Sequence, residues 1–292
     1  SLLYRLEKSM IADRQNNHRE SRKLLLEADK ITDDLFTKSV SKTAGSMVIN
    51  DMTADYEPED FEKVAIHTQL ALSFIETNEM QSARVSARKI NTRLAEINKQ
   101  YEEEEKLPKY TQDAFALFLS GLIYESRGEI DDAIIDYKKA YGLYRDSYNW
   151  FVPEMPMQLV NSYYGVLLKR NRRTEIEKVL KDYPKLKDDY QKPASSTGEL
   201  IAIFEVGTIA PKETSEHFIP IAGQLIRFSF PRIAYTSGFV GKTGVDIIGP
   251  KKMEVAGEQV QNLSKIAYYN LEERATRTAL KATARIVAKG LA

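Results

Sequence analysis

The sequence predicts a mainly α protein: an irregular superhelix of helical hairpins in residues 1–192, a small β-rich module in 193–253 and a long C-terminal helix in 254–292. Three observations predict this. Up to residue 192 the chain is rich in Ala, Leu, Lys, Glu and Arg, and its Tyr, Phe and Leu recur three or four apart, the spacing of one helix face. Within that region, residues 114–144 carry a two-helix signature that has weaker copies before and after. Past Pro193 the helical spacing stops, and short β-branched runs punctuated by Gly and Pro take over.

The signature reads FALFLSGLIYESRG, then DDAIIDYKKAYGLY, with Gly128-Glu129 as the turn. Gly121 sits where the first helix must approach its partner closely. Tyr124 follows it, and Ala133, Tyr137 and Ala140 fall at matching places on the second helix. These offsets are those of a tetratricopeptide repeat, two antiparallel helices in about 34 residues. Leu117 stands where that repeat has Trp, and its terminal Pro is absent.

In chain order, the first copy spans 2–35, with Ser9, Ala12, Ser21, Leu25 and Ala28 at the matching offsets and Asn16-Asn17 as its turn. The second spans 64–97, with Ala71, Phe74, Ala83 and Ala87 and a turn at Asn78-Glu79. A fourth, degenerate copy spans 157–184, turning at Asn171 and stopping at Pro184. Ser21, Ala83, Ala133 and Ile176 are equivalent positions on the second helices. Their unequal intervals place inserts at 36–60, 98–113 and 146–156. Three or four pairs suffice for a stacked core, because each pair buries its free face on the next.

Such a stack curves and lines its concave face with the first helix of each pair. Candidate partner-binding residues are therefore Thr68, Leu72 and Ile75 in the second copy, and Phe115, Phe118, Leu122 and Glu125 in the third, provided the apolar ones stay exposed. Trp150 joins them from the aromatic cluster of the 146–156 insert.

Beyond the repeats, residues 194–198 (ASSTG) read as a linker. Expected strands are 199–206 (ELIAIFEV), 215–221 and 224–230 (QLIRFSF), with 245–250 as a strand and stop. The final helix is expected over 257–289. Val260, Leu263, Ala267 and Leu271 begin its apolar stripe. Glu258, Glu272 and Glu273 lie toward its start and Lys281, Arg285 and Lys289 toward its end, complementing the helix dipole.

Composition removes several function classes. Lys and Arg number 42, as do Asp and Glu, so the formal net charge is zero. A general nucleic-acid binder needs an excess of basic residues to displace counterions, and a polybasic membrane attachment needs one too. The absence of cysteine excludes disulfides, thiol catalysis and cysteine-held metals, and fits more than one compartment. No apolar run reaches the roughly 18 residues of a transmembrane helix. The opening Ser1-Leu2-Leu3-Tyr4 lacks a signal-peptide pattern, and both ends read as cut from a longer chain.

Two catalytic patterns call for weighing. Ser39-Val40-Ser41-Lys42, Ser147-Tyr148-Asn149 and Lys242-Thr243-Gly244 follow the order of the acyl-serine enzymes, with Ser39 as nucleophile and Lys42 as base. That chemistry needs the serine at the start of a buried central helix, whereas Ser39 lies in the polar run TKSVSKTAGS. Gly241-Lys242-Thr243 supplies the end of a phosphate loop, but Thr236 stands where its first glycine belongs, and a strand rather than a helix is expected to follow. His18, His67 and His217 show no ligand spacing, so neither metal nor cofactor is expected. The acidic run 102–105 reads as a solvated helix end.

The order of these parts resembles a bacterial cell-envelope tetratricopeptide-repeat family. Its members are typically encoded beside small outer-membrane lipoproteins and proteins similar to the curli secretion channel or the penicillin-binding-protein activators. The residues that carry the resemblance are Glu7-Lys8-Ser9-Met10-Ile11-Ala12 with Glu27-Ala28-Asp29, Phe61-Glu62-Lys63-Val64, Ala83-Arg84-Val85 with Ala87-Arg88-Lys89, the 121–144 repeat, Ile209-Ala210-Pro211-Lys212-Glu213, and Ala284-Arg285-Ile286-Val287-Ala288-Lys289. The resemblance implies an exported, non-enzymatic scaffold, periplasmic or outer-membrane-associated, whose partners are envelope proteins or lipoproteins. It supplies no catalytic residues. A soluble cytoplasmic adaptor and an acyl-serine enzyme are the alternatives, and a homo-oligomer stays open.

Overall fold

Four left-handed residues divide the helical part of the chain into pairs: Asn16, Asn78, Gly128 and Asn171, with φ of 58°, 59°, 76° and 51°. The computed structural model describes residues 1–42, 56, 58–101, 108–190, 199–209, 211–221, 224–233, 241–248 and 253–273. Its hairpins are α1 (Leu2–Arg14) with α2 (His18–Lys42), α3 (Asp60–Glu76) with α4 (Met80–Gln100), α5 (Ala114–Ser126) with α6 (Ile130–Asp146), and α7 (Met157–Lys169) with α8 (Arg173–Asp182).

The four turns share one hydrogen-bond pattern. The residue after the left-handed one donates its N–H to a carbonyl five positions back: Asn17 to Ala12 at 2.9 Å, Glu79 to Phe74 at 2.8 Å, Glu129 to Tyr124 at 2.9 Å and Arg172 to Leu167 at 3.0 Å. The left-handed residue itself donates three back, to Asp13, Ile75, Glu125 and Leu168. This is the Schellman cap, which satisfies the orphan carbonyls of a helix end. Asn and Gly occupy it because they tolerate the left-handed region best. Each second helix then opens the same way. The N–H groups of Ser21, Ala83, Ala133 and Ile176 donate to Asn17, Glu79, Glu129 and Arg172. The four positions taken as equivalent from sequence are thus equivalent in backbone geometry.

The chain forms two compact units. The first comprises Ser1–Glu105 and Thr111–Ala140. In it α2 packs on α3, α4 on α5, and α3 on α5, so the first helix of a pair touches the pair before it. One core cluster joins Leu2, Leu25, Ala28, Ile66 and Leu70. The next joins Ala71, Ala83, Ala87, Leu119 and Ile123. Small residues dominate where helices cross. A Cβ at Gly121 would overlap the Tyr137 ring, and Ala83, Ala87 and Ala133 are fully buried.

The second unit comprises Lys106–Tyr110 and Tyr141–Ala292. It holds the end of α6, the α7–α8 pair and a short helix α9 (Leu186–Asp189). Two antiparallel hairpins follow, β1 (Lys212–Ile221) with β2 (Gln224–Ile233) and β3 (Gly244–Ile247) with β4 (Met253–Ala256). A last helix, α10, runs through 263–273. Its core is aromatic: Tyr148 and Phe151 rings stand edge-on 5.0 Å apart, and Tyr110 and Tyr269 approach Phe151 at 6.3 and 6.0 Å.

The molecule is thus mainly helical, as expected, with two corrections of detail. Residues 199–206 are not a strand, since none of the described strands pairs with them. The C-terminal helix begins at 263, not 257. Asn262 caps it, its Oδ1 accepting from the Lys265 N–H at 3.0 Å. Glu258 instead accepts from the Gln158 N–H at 3.0 Å, and so supplies a carboxylate to the N-terminus of α7. The expected linker 194–198, the acidic run 102–105 and the helix beyond 273 lie outside the described residues.

Candidate functional site

The proposed groove residues separate into two sets. Phe115 and Phe118 are buried, 8% and 5% exposed. Phe118 packs its ring 5.9 Å from that of Tyr137, the residue that fills the space over Gly121. Close helix approach at the glycine draws both aromatics inward, so neither offers a free surface. Thr68 is buried as well. Leu72, Ile75 and Leu122 are half-buried, and Leu72 and Ile75 pack on the Ala71–Ile123 cluster. Glu125 accepts from the Tyr137 hydroxyl at 2.8 Å. Trp150 is 51% exposed. Its ring meets Tyr269 edge-on at 5.9 Å, and Lys109 Nζ lies 4.6 Å from the Trp150 ring centre and 4.0 Å from that of Tyr269. The Lys109 N–H also donates to Glu273 at 3.0 Å.

Polar groups inside the first unit are organised around two aspartates. Asp29 on α2 receives His67 Nε2 at 3.0 Å, Lys89 Nζ at 2.9 Å and Arg93 Nη2 at 2.9 Å. Burial alone would raise its carboxyl, but the hydrogen bonds and charges of His67 and Lys89 outweigh burial and hold it below the usual carboxylate range. Asp136 on α6 accepts from Ser120 at 2.6 Å and Asn91 at 3.0 Å. Here burial prevails over those bonds, and the carboxyl is pushed up. Both aspartates join successive hairpins.

A further cluster brings together residues that sequence spacing keeps apart. His18 Nδ1 lies 3.2 Å from Asp13 Oδ1 and 3.1 Å from Glu76 Oε2. Asp13 ends α1, His18 opens α2, and Glu76 ends α3 in the next hairpin. No local motif announces such a set, because the stacking of hairpins, not the spacing of letters, assembles it.

The second unit carries another feature. Leu200, Ile201, Ile203, Phe204, Val206 and Ile209 are exposed between 38% and 72%. Phe218 and Leu225 on the first sheet, at 61% and 73%, and Ile248, at 90%, are exposed as well. The signal is present in sequence as the run ELIAIFEV, which reads as a strand.

The catalytic patterns gain no geometry. Ser39 lies in the last turns of α2, not at a helix start. Ser147 donates to the Leu143 carbonyl at 3.4 Å, and Lys242 is exposed before β3. Strand β3 follows Gly241-Lys242-Thr243, where a phosphate loop needs a helix N-terminus. Among the described residues, no helix is long and apolar enough to cross a membrane.

The turns and packing define a tetratricopeptide-like helical repeat protein. No family model matches the chain, and no curated protein matches it. Solved structures similar to it include BtubC (BKLC) from P. vanneervenii, with a TM-score of 0.41 and 11% identity, covering 70% of this chain and 71% of that one. Another is a putative kinesin light chain from Podosopora anserina with nearly identical TPR-like repeats, at 0.39 and 10%, covering 65% and 77%. A third is MamA of AMB-1, at 0.30 and 16%, covering 65% and 93%. With TM-scores below 0.5, none adds to what the chain's own turns and packing establish.

Proposed function

We propose that this chain is a non-enzymatic protein-binding scaffold, a structural subunit of a bacterial cell-envelope assembly, periplasmic or attached to the outer membrane. The observation that carries the binding role is the exposed apolar run between 199 and 209. Contiguous apolar surface of this kind marks an interaction site. Leu200, Ala202, Phe204 and Val206 alternate with the rest, so an extended segment would present them on one face. Such a segment joins the sheet edge of another protein through backbone hydrogen bonds, with its side chains supplying specificity. Leu72, Ile75, Leu122 and Glu125 are candidate contacts on the repeats, and Trp150 on the insert. What supports the envelope location is the family resemblance read in the sequence. The division into a repeat domain 1–192, a β-rich module 193–253 and a C-terminal part 254–292 belongs to the same proposal.

The test is site-specific photo-crosslinking of the full-length protein in its native host, with the probe at Phe204, Leu122 or Trp150, followed by mass spectrometry of the adducts. Envelope proteins captured at 204 are the expected result. Capture of cytoplasmic proteins alone would move the protein to an intracellular adaptor, and no adduct at any position would remove the binding role. Covalent labelling by a β-lactam probe, abolished by Ser39→Ala, would overturn the non-enzymatic reading.

A further inference from the structure

We infer that Asp13, His18 and Glu76 form a binding site for a divalent first-row transition ion of the zinc class, which staples the first hairpin to the second. Their ligand atoms lie within 4.8 Å of one another. The two separations from His18 Nδ1, 3.1 and 3.2 Å, approach the roughly 3.4 Å between neighbouring ligands on a tetrahedral ion with bonds of about 2.1 Å. One imidazole nitrogen carries at most one proton, and two carboxylate oxygens from different helices converge on it. A divalent ion takes all three as ligands at once and offsets both carboxylate charges. The neighbouring Arg22 guanidinium is engaged by Glu79 at 3.0 Å, the Ser73 carbonyl at 3.1 Å and Thr77 Oγ1 at 2.9 Å.

The donor set selects the ion. One imidazole with two carboxylates suits zinc and its first-row neighbours, whereas magnesium and calcium prefer oxygen alone. The side chains of Asp13 and His18 are 22% exposed and that of Glu76 52%, so the site opens to solvent and water can take the fourth position. The Schellman turn at Asn16 fixes the approach of Asp13 to His18, and the packing of α2 on α3 brings Glu76 to them. Binding therefore requires the stacked hairpins and stabilises them in return.

Isothermal titration of the chelator-stripped full chain with zinc chloride, paired with thermal unfolding with and without zinc, tests this. One equivalent should bind, magnesium should not compete, and the Tm should rise with zinc. His18→Ala should abolish binding, and Glu76→Gln should weaken it about tenfold or more, each with unchanged helix content by circular dichroism. His217→Ala should bind as the parent does. Absence of stoichiometric binding in the parent, or binding that survives His18→Ala, overturns the site and leaves His18 as a salt-bridge partner of the two carboxylates. Because the readout is metal binding, its failure leaves the scaffold reading untouched.

Discussion

Asn78 and its counterparts at 16 and 171 hold φ of 59°, 58° and 51° without being glycine. For most side chains that conformation costs about 1–2 kcal/mol. Asn78→Gly should therefore leave stability nearly unchanged, while Asn78→Val should cost about 1–2 kcal/mol in urea unfolding; equal effects would mean the turn relaxes. The aspartates give a second contrast. Asp29 has its folded pKa depressed from an ordinary 3.8, so its stabilisation is present above that value and lost as pH falls through the lower folded one. Asp136 has its folded pKa raised, so its contribution is favourable below 3.8 and fades as pH rises through the folded value. At neutral pH Asp29→Asn should cost about 3 kcal/mol, the order of a broken buried pair. Asp136→Asn should be neutral or stabilising there, since an amide oxygen can accept the Ser120 and Asn91 bonds. Urea titrations at neutral and acid pH check both signs.

At the scale of elements, the decisive device is the small residue at the crossing of a pair. Gly121→Ala should destabilise the first unit by about 1–3 kcal/mol, because the Tyr137 ring has no room to yield. Tyr137→Leu should rescue part of that loss; a double mutant no better than the single would place the strain elsewhere. These pairings were legible in the sequence because the repeat fixes both members at constant offsets and Asn or Gly names the turn. The start of α10 was less so: Asn262 and Glu258 are both acceptable at a helix beginning, and only the packing of Glu258 on the α7 N-terminus decides between them. The run 199–206 misled because period-two alternation describes a strand's faces but says nothing of whether a partner strand exists. Phe115 and Phe118 misled in another way, for a helix face read from repeat geometry does not show how far a ring tilts into the core. Asp13, His18 and Glu76 were illegible, since Glu76 arrives from a different hairpin.

Across the molecule, the C-terminal residues belong energetically to the second unit. Ile266, Ala267 and Leu271 are buried, the Tyr144 hydroxyl donates to the Val260 carbonyl, and Glu273 holds the Lys109 backbone. Burial of two large aliphatic side chains alone contributes about 3–6 kcal/mol. The single tryptophan of the chain, Trp150, lies against Tyr269 of α10 and so reports on this packing. A chain ending at Ala256 should show red-shifted Trp150 emission and a lower midpoint in the fluorescence-detected unfolding of the second unit. Tyr269→Ala should shift the emission with a smaller loss of stability, which separates ring contact from helix docking. If the truncated chain keeps both the parental emission and the parental midpoint, α10 does not stabilise the second unit, and the C-terminal part stands as a separate element, as the division at 254 read from the sequence has it.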